Sequence, residues 1–229
     1  INPNFIINPN IIDENGYTLD LGFRGSYNEY VFYDLSTFYL FYNDRIGFVQ
    51  KSFNDGSVKN EKGNVGNAKI YGQEILVNVN VNKIFSFPND YRLSYFFNFS
   101  NINSQYVDSQ ENGVLGNQVE FIPKFNLKTG INLGFRKLSS SIQYTFLSKQ
   151  FTDATNSIES DLSGVIGEIP SYNILDISCS YYYEDFKFEF GVNNILNSHY
   201  FTTRATGYPG PGIIPSPTRN FYITIQYKL

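Results

Sequence analysis

Methionine and tryptophan are absent from this 229-residue chain, and cysteine and histidine occur once each, as Cys179 and His199. A single cysteine cannot close an internal disulfide, and the place of Cys179 within an alternating apolar run reads as a small buried hydrophobe rather than a nucleophile. One imidazole leaves few acid–base options. No Gly-x-Ser-x-Gly, His-Glu-x-x-His, Gly-x-Gly-x-x-Gly or phosphate-binding loop occurs, so the chain reads as a non-enzyme. His199 has no partner cysteine or tight carboxylate cluster, and Asp153, Glu159, Asp161 and Glu168 match no compact calcium loop, so neither metal nor cofactor is expected. No apolar run reaches the ~18 residues of a spanning helix, and no signal-peptide pattern opens the chain. The net charge of -4 has no basic block behind it, which argues against nucleic acid. Lacking methionine, the chain is expected to be a processed product or a piece of something longer.

What is abundant is aromatic side chains in alternating order. The chain holds 19 Tyr and 22 Phe, and nine stretches alternate apolar and polar residues with a period of two. In one, Leu175, Ile177, Cys179, Tyr181 and Tyr183 oppose Asp176, Ser178, Ser180 and Tyr182; in another, Tyr91, Leu93, Tyr95, Phe97 and Phe99 oppose Arg92, Ser94, Asn98 and Ser100. Such alternation marks half-buried strands. Soluble strands average about five or six residues, whereas many of these runs are longer and suit the roughly nine to eleven tilted residues of a membrane-crossing strand. Aromatic girdles at two bilayer interfaces account for the Tyr and Phe content. A Tyr-rich soluble β domain, such as a secreted carbohydrate-binding sandwich, and a complete ten-stranded outer-membrane protease barrel are the competing readings.

Strands are expected at about 17–25, 30–50, 68–83, 90–107, 118–135, 137–152, 171–184, 186–193 and 219–229. Tight turns at 26–29, 84–89, 136–137 and 184–185 alternate with long connections at 51–67, 108–117, 153–170 and 194–218, while residues 1–16 read as loop. Short turns on one rim and long loops on the other characterise outer-membrane barrels, with the short turns periplasmic. On that basis the last strand ends on the periplasmic side. Nine is an odd count, and a barrel cannot leave an edge in lipid, so the expected fold is all-β: an antiparallel transmembrane β-barrel, present as part of a larger one.

Three stretches carry a resemblance. GVNNILNSHY at 191–200, RATGYPGPGIIPS at 204–216 and the following FYITIQ resemble the end of a TonB-dependent outer-membrane receptor, the second more specifically its ferric dicitrate branch. YTLDLGFRG at 17–25, FYNDRIG at 41–47 and IYGQEI at 70–75 keep that family's order and spacing, so the resemblance covers essentially the whole chain. The chain ends in Leu229, where the family commonly has an aromatic residue. The resemblance implies a 22-stranded barrel around an N-terminal plug, with residues 1–229 as about its last nine strands. It also implies uptake of a ferric chelate such as ferric citrate or a siderophore, energised through TonB contacting the plug. The implied partners are outer-membrane lipid, the chelate and the TonB complex.

An anionic chelate calls for guanidinium or ammonium donors on outer loops and the upper lumen. Arg204, beside Tyr208 in the connection at 194–218, is the leading candidate, followed by Lys149 on its inward parity. Arg24, Arg92, Lys124, Lys128 and Arg136, with Lys187 and Glu189, are expected to line the lumen or face the plug. The loop prolines Pro209, Pro211, Pro215 and Pro217 serve shape by restricting φ.

Overall fold

The computed structural model describes residues 5–54, 56–207 and 210–228. Its elements are β1 (Phe5–Ile7), β2 (Asn15–Tyr27), β3 (Val31–Ser52), β4 (Val58–Asn80), α1 (Val81–Phe85), β5 (Tyr91–Asp108), β6 (Phe125–Phe135), β7 (Leu138–Leu147), β8 (Gln150–Phe151), β9 (Glu168–Ile169), β10 (Tyr172–Tyr183), β11 (Phe186–Asn193), β12 (Phe201–Ala205), β13 (Gly212–Pro215) and β14 (Asn220–Tyr227). Nine of them form one antiparallel meander in the order β2-β3-β4-β5-β6-β7-β10-β11-β14. Among the described residues, β2 and β14 each pair on one side only. The two remaining ladders, β8 with β9 and β12 with β13, lie within the long connections.

Register explains why alternation was so visible. Leu19 faces Tyr39, Phe23 faces Leu35, Ile131 faces Ile142 and Phe190 faces Ile223. Successive apolar sets therefore fall on one face of the sheet, and a slip of one residue would turn every one of them to the other face. That apolar face is the lipid-facing one, and it stays largely uncovered by protein: Leu21 and Ile223 are both 74% exposed. Aromatic rings cluster on it at both ends. Tyr17, Phe41, Tyr39 and Tyr71 stack in series toward the long loops, while Tyr91 with Phe135, and Phe186 with Tyr227, pack beside the short turns. The hairpin from β2 to β3 closes through Asn28 and Glu29, both at positive φ, with Tyr30 N–H donating to the Tyr27 carbonyl. Two consecutive left-handed residues match the twist of the flanking strands.

Four expectations need correction. Residues 51–67 are mostly strand, because β3 and β4 continue as a hairpin to the pair Ser52 and Val58. Beyond the apolar band neither face of the hairpin is held to one medium, so the period of two disappears while the backbone ladder continues. Residues 118–124 are not strand; Pro123 cannot donate to a ladder, and β6 begins only at Phe125. The strand expected to reach 83 ends at Asn80, whose side chain accepts the Lys83 N–H and caps α1. Finally, residues 5–7 form a strand after all, paired parallel to residues 60–62 of β4.

The buried core sits at the long-loop end. Val49, Val65, Ala68, Ile70, Tyr106, Val114, Val119 and Ala154 pack together, and Phe38, Leu40, Tyr42 and Ile102 from the inward parity lie against them. Elsewhere the inner face is polar, and glycines let large side chains lie along it. A β-carbon on Gly130 would come 2.6 Å from Phe96 Cε1, and one on Gly191 would strike the Tyr222 ring.

Candidate functional site

The inner face of the sheet is a polar wall tied by ion pairs. Arg24 Nε donates to Asp34 Oδ2 at 2.7 Å, Lys187 lies 2.9 Å from Glu189, and the Tyr222 hydroxyl donates to Glu189 at 3.3 Å. Arg92, opposite Gly134, donates from Nη2 to the Arg136 carbonyl and to Ser139 Oγ. Lys128 stands between Asn98 and Thr145. At the short-turn end, Ser26, Asn78, Arg92, Ser94, Ser141 and Glu189 contribute to the lining of a cavity of about 1110 Å³. Exposed pairs of this kind contribute little to stability; their effect is to keep the wall wettable.

Two residues expected on this wall lie elsewhere. Arg136 is in the turn between β6 and β7, with Nε 3.0 Å from Asp90 and its guanidinium 5.2 Å from the Phe135 ring centre. Lys124 sits at the bend before β6, where strand alternation has not begun. Its ammonium stands 5.4 Å over the ring of Phe125, which stacks on the outward-facing Phe99.

At the opposite end, the connections fold into a structured mouth. Glu120, from the segment after β5, is only 3% exposed and accepts the Tyr106 hydroxyl at 2.8 Å. Burial pushes the Glu120 carboxyl above its ordinary range, against the opposing pull of Arg45. Arg45 Nε is itself buried without a hydrogen-bond partner, and its guanidinium lies 5.5 Å from the Tyr42 ring centre. Nothing in the spacing of Arg45, Tyr106 and Glu120 singled them out, since an irregular segment brings them together. Across the mouth, Asp161 is partly buried, which favours its neutral form, but the Ser163 hydroxyl at 2.6 Å and the Ile166 N–H at 3.0 Å more than offset this and hold its pKa down.

Arg204 is the centre of the second half of this mouth. It is 8% exposed and donates from Nη1 to the Gly164 carbonyl at 2.8 Å and from Nη2 and Nε to the Glu168 carbonyl at 2.8 and 3.3 Å. Its guanidinium also lies 5.1 Å from the Phe201 ring centre. Burial draws its pKa down and Asp161 draws it back up. As placed, Arg204 pins the connection after β7 to the one after β11. Lys149 is more open: its ammonium is 2.8 Å from Glu168 Oε2 with about half of the side chain exposed. Tyr208 lies outside the described residues.

A long-stranded antiparallel sheet with an apolar outside, a polar inside and a folded mouth is the pattern of a large membrane barrel, and sequence comparison specifies which. A family model described as TonB dependent receptor-like, beta-barrel matches residues 1–195. The chain belongs to that family. TonB-dependent receptor barrels are outer-membrane proteins that work as receptors and transporters rather than enzymes. Among solved structures, the chain is similar to the ferric citrate transporter FecA in its unliganded form (21% identity, TM-score 0.72, covering 90% of this chain and 30% of that one). It is also similar to the ferric yersiniabactin uptake receptor FyuA from Yersinia pestis (20%, TM-score 0.66, 94% and 30%) and to the copper transporter OprC (14%, TM-score 0.69, 96% and 32%). At these identities the likeness shows the fold, and the chain spans about a third of the length of each of these three proteins.

Proposed function

We propose that residues 1–229 are the C-terminal wall of a larger TonB-energised barrel that takes up a ferric chelate, citrate-like or a siderophore, across the outer membrane. The observation that carries this reading is the contrast between a polar inner wall and a mouth whose connections are pinned by buried Arg204 and Glu120. A passage that admits a charged cargo needs a wettable wall, and selective capture needs an ordered entrance. The one-sided pairing of β2 and β14 supports a wall completed by further strands, and the similarity to transporters of ferric citrate and ferric yersiniabactin supports the cargo class.

In this reading the long connections face outward and the short turns, with the end of β14, face the periplasm. The chelate docks in the mouth, where Lys149 can exchange Glu168 for a chelate carboxylate. Arg204 holds the connection that carries Glu168, and Arg24, Arg92 and Lys128 meet the plug or the passing cargo. TonB acts on the plug from the periplasm.

Two measurements test this. In a strain whose only ferric-citrate receptor is the full-length protein, uptake of radiolabelled iron from ferric citrate should occur and should vanish when TonB is deleted. Absence of uptake from ferric citrate and from a panel of siderophores overturns the transport reading. In a Cys179→Ser background, Ser160→Cys should react with an impermeant maleimide on intact cells, whereas Glu184→Cys should react only after the outer membrane is opened. The reverse pattern overturns the orientation.

A further inference from the structure

The lipid-facing side of the sheet carries one charge whose position calls for explanation. On β4 and β5, Tyr71 faces Asn103 and Lys69 faces Gln105, on the same parity as Val77, Phe97 and Phe99. From Tyr71 down to the short turns, no outward position on β2 through β7, β10, β11 or β14 is charged. Lys69 is thus the first charge met above the apolar band, immediately beyond the stacked rings of Tyr39 and Tyr71. Lys124 approaches the same place from the other side of β5. It lines a cavity of about 290 Å³ together with Tyr71, Asn103, Gln105, Gly116 and Gln118, its ammonium resting over Phe125.

Among the described residues neither Lys69 nor Lys124 is in a salt bridge, in contrast to Lys149 and Lys187, which each hold a carboxylate. One ammonium group lining a small polar recess, and a second on the residue paired with Gln105 of that recess, at the level where rings mark the bilayer interface, are complementary to an anion fixed at that depth. Basic recesses at a membrane surface bind lipid headgroups through this combination of charge and hydrogen bonds.

We infer that Lys69 and Lys124, with Asn103, Gln105 and the Tyr71 hydroxyl, form an external site for the phosphate of a phosphorylated lipid in the leaflet beside the long connections. Its acyl chains lie along the outward faces of Phe97, Phe99 and Leu127. The leaflet assignment rests on the proposed orientation of the barrel; the site itself does not.

The test uses the full-length receptor in detergent, with bis-phosphorylated lipid A as probe and retained lipid read by native mass spectrometry. The double variant Lys69→Gln/Lys124→Gln should retain at least about tenfold less lipid A. Lys59→Gln, on the hairpin beyond the site, should retain it fully, and dephosphorylated lipid A should be held no better by the wild type than by the double variant. Equal retention by the double variant, equal retention of the dephosphorylated lipid, or displacement by equimolar inorganic phosphate each overturns the site. If lipid A retention follows the two lysines while Ser160→Cys labels only from the periplasm, the headgroup site stands and the orientation falls.

Discussion

The wall and the mouth of this molecule are built from one continuous set of strands yet obey different solvents. In the wall the large apolar side chains point away from protein and the inner face carries polar groups in exposed pairs; its coherence comes from the backbone ladder and from lipid. In the mouth the same strands, β3 to β5, turn valines and a tyrosine inward onto irregular segments and bury them conventionally. The boundary falls where the outward face stops being apolar, near Lys69. Which side of a strand counts as inside is therefore decided by the surrounding medium and not by the strand.

The contrast can be broken most severely from the lipid side. Ile223→Arg in the middle of β14 should cost about 2–4 kcal/mol of stability in vesicles, while Thr224→Arg, one residue on and facing the lumen, should cost under about 0.5 kcal/mol. Urea unfolding of the full-length receptor in lipid measures both, and equal effects would abolish the distinction between faces. In the mouth, Arg204→Met removes the donors to Gly164 and Glu168 and should free the connection after β7, at roughly 1.5–3 kcal/mol. Its cleavage by an added protease should quicken accordingly, with overall barrel stability unchanged.

Tyr106→Phe is a smaller change, about 1–2 kcal/mol, because it leaves Glu120 Oε2 buried without its donor; faster amide exchange in residues 114–119 would show it. The smallest effects concern pH and have opposite signs. Glu120 titrates above its ordinary range in the folded mouth, so the packing it supports weakens as pH rises from that ordinary range through the folded value. Asp161 titrates below its ordinary range, so its connection loosens as pH falls below that range toward the folded value. Amide exchange corrected for intrinsic rates, compared at Tyr106 and Ile166, should move in opposite directions; parallel movement would refute the assignment.

The wall was legible in the sequence because lipid imposes a strict period: from Tyr91 to Phe99 every second residue is aromatic or Leu, with Phe96 the one apolar side chain on the opposite parity, and the strands recur in the expected places. The mouth was not, for a reason visible in particular residues. Beyond Lys69 the outward side of the β3–β4 hairpin meets water or other loops, so Asn60, Gly63 and Asn64 look like loop although they stand in a ladder. Lys124 was placed by extending alternation one residue past the start of β6, where a bend had already reset it. Arg204 was found for its charge and its neighbours, but its partners are backbone carbonyls of Gly164 and Glu168, which leave no mark in composition.

Gly130 also bears on how much room the passage has. Because no β-carbon stands there, the Phe96 ring can lie down on the wall. Gly191 does the same for Tyr222. A ring lying flat takes up about its own thickness of bore; one propped on a methyl group reaches several ångströms further toward the axis. These two glycines therefore act as clearance, and Gly130→Ala, without altering a single charge, would set a methyl group against the Phe96 ring and hard against the Ile142 carbonyl oxygen, lifting the ring off the wall and straining the β6–β7 ladder together.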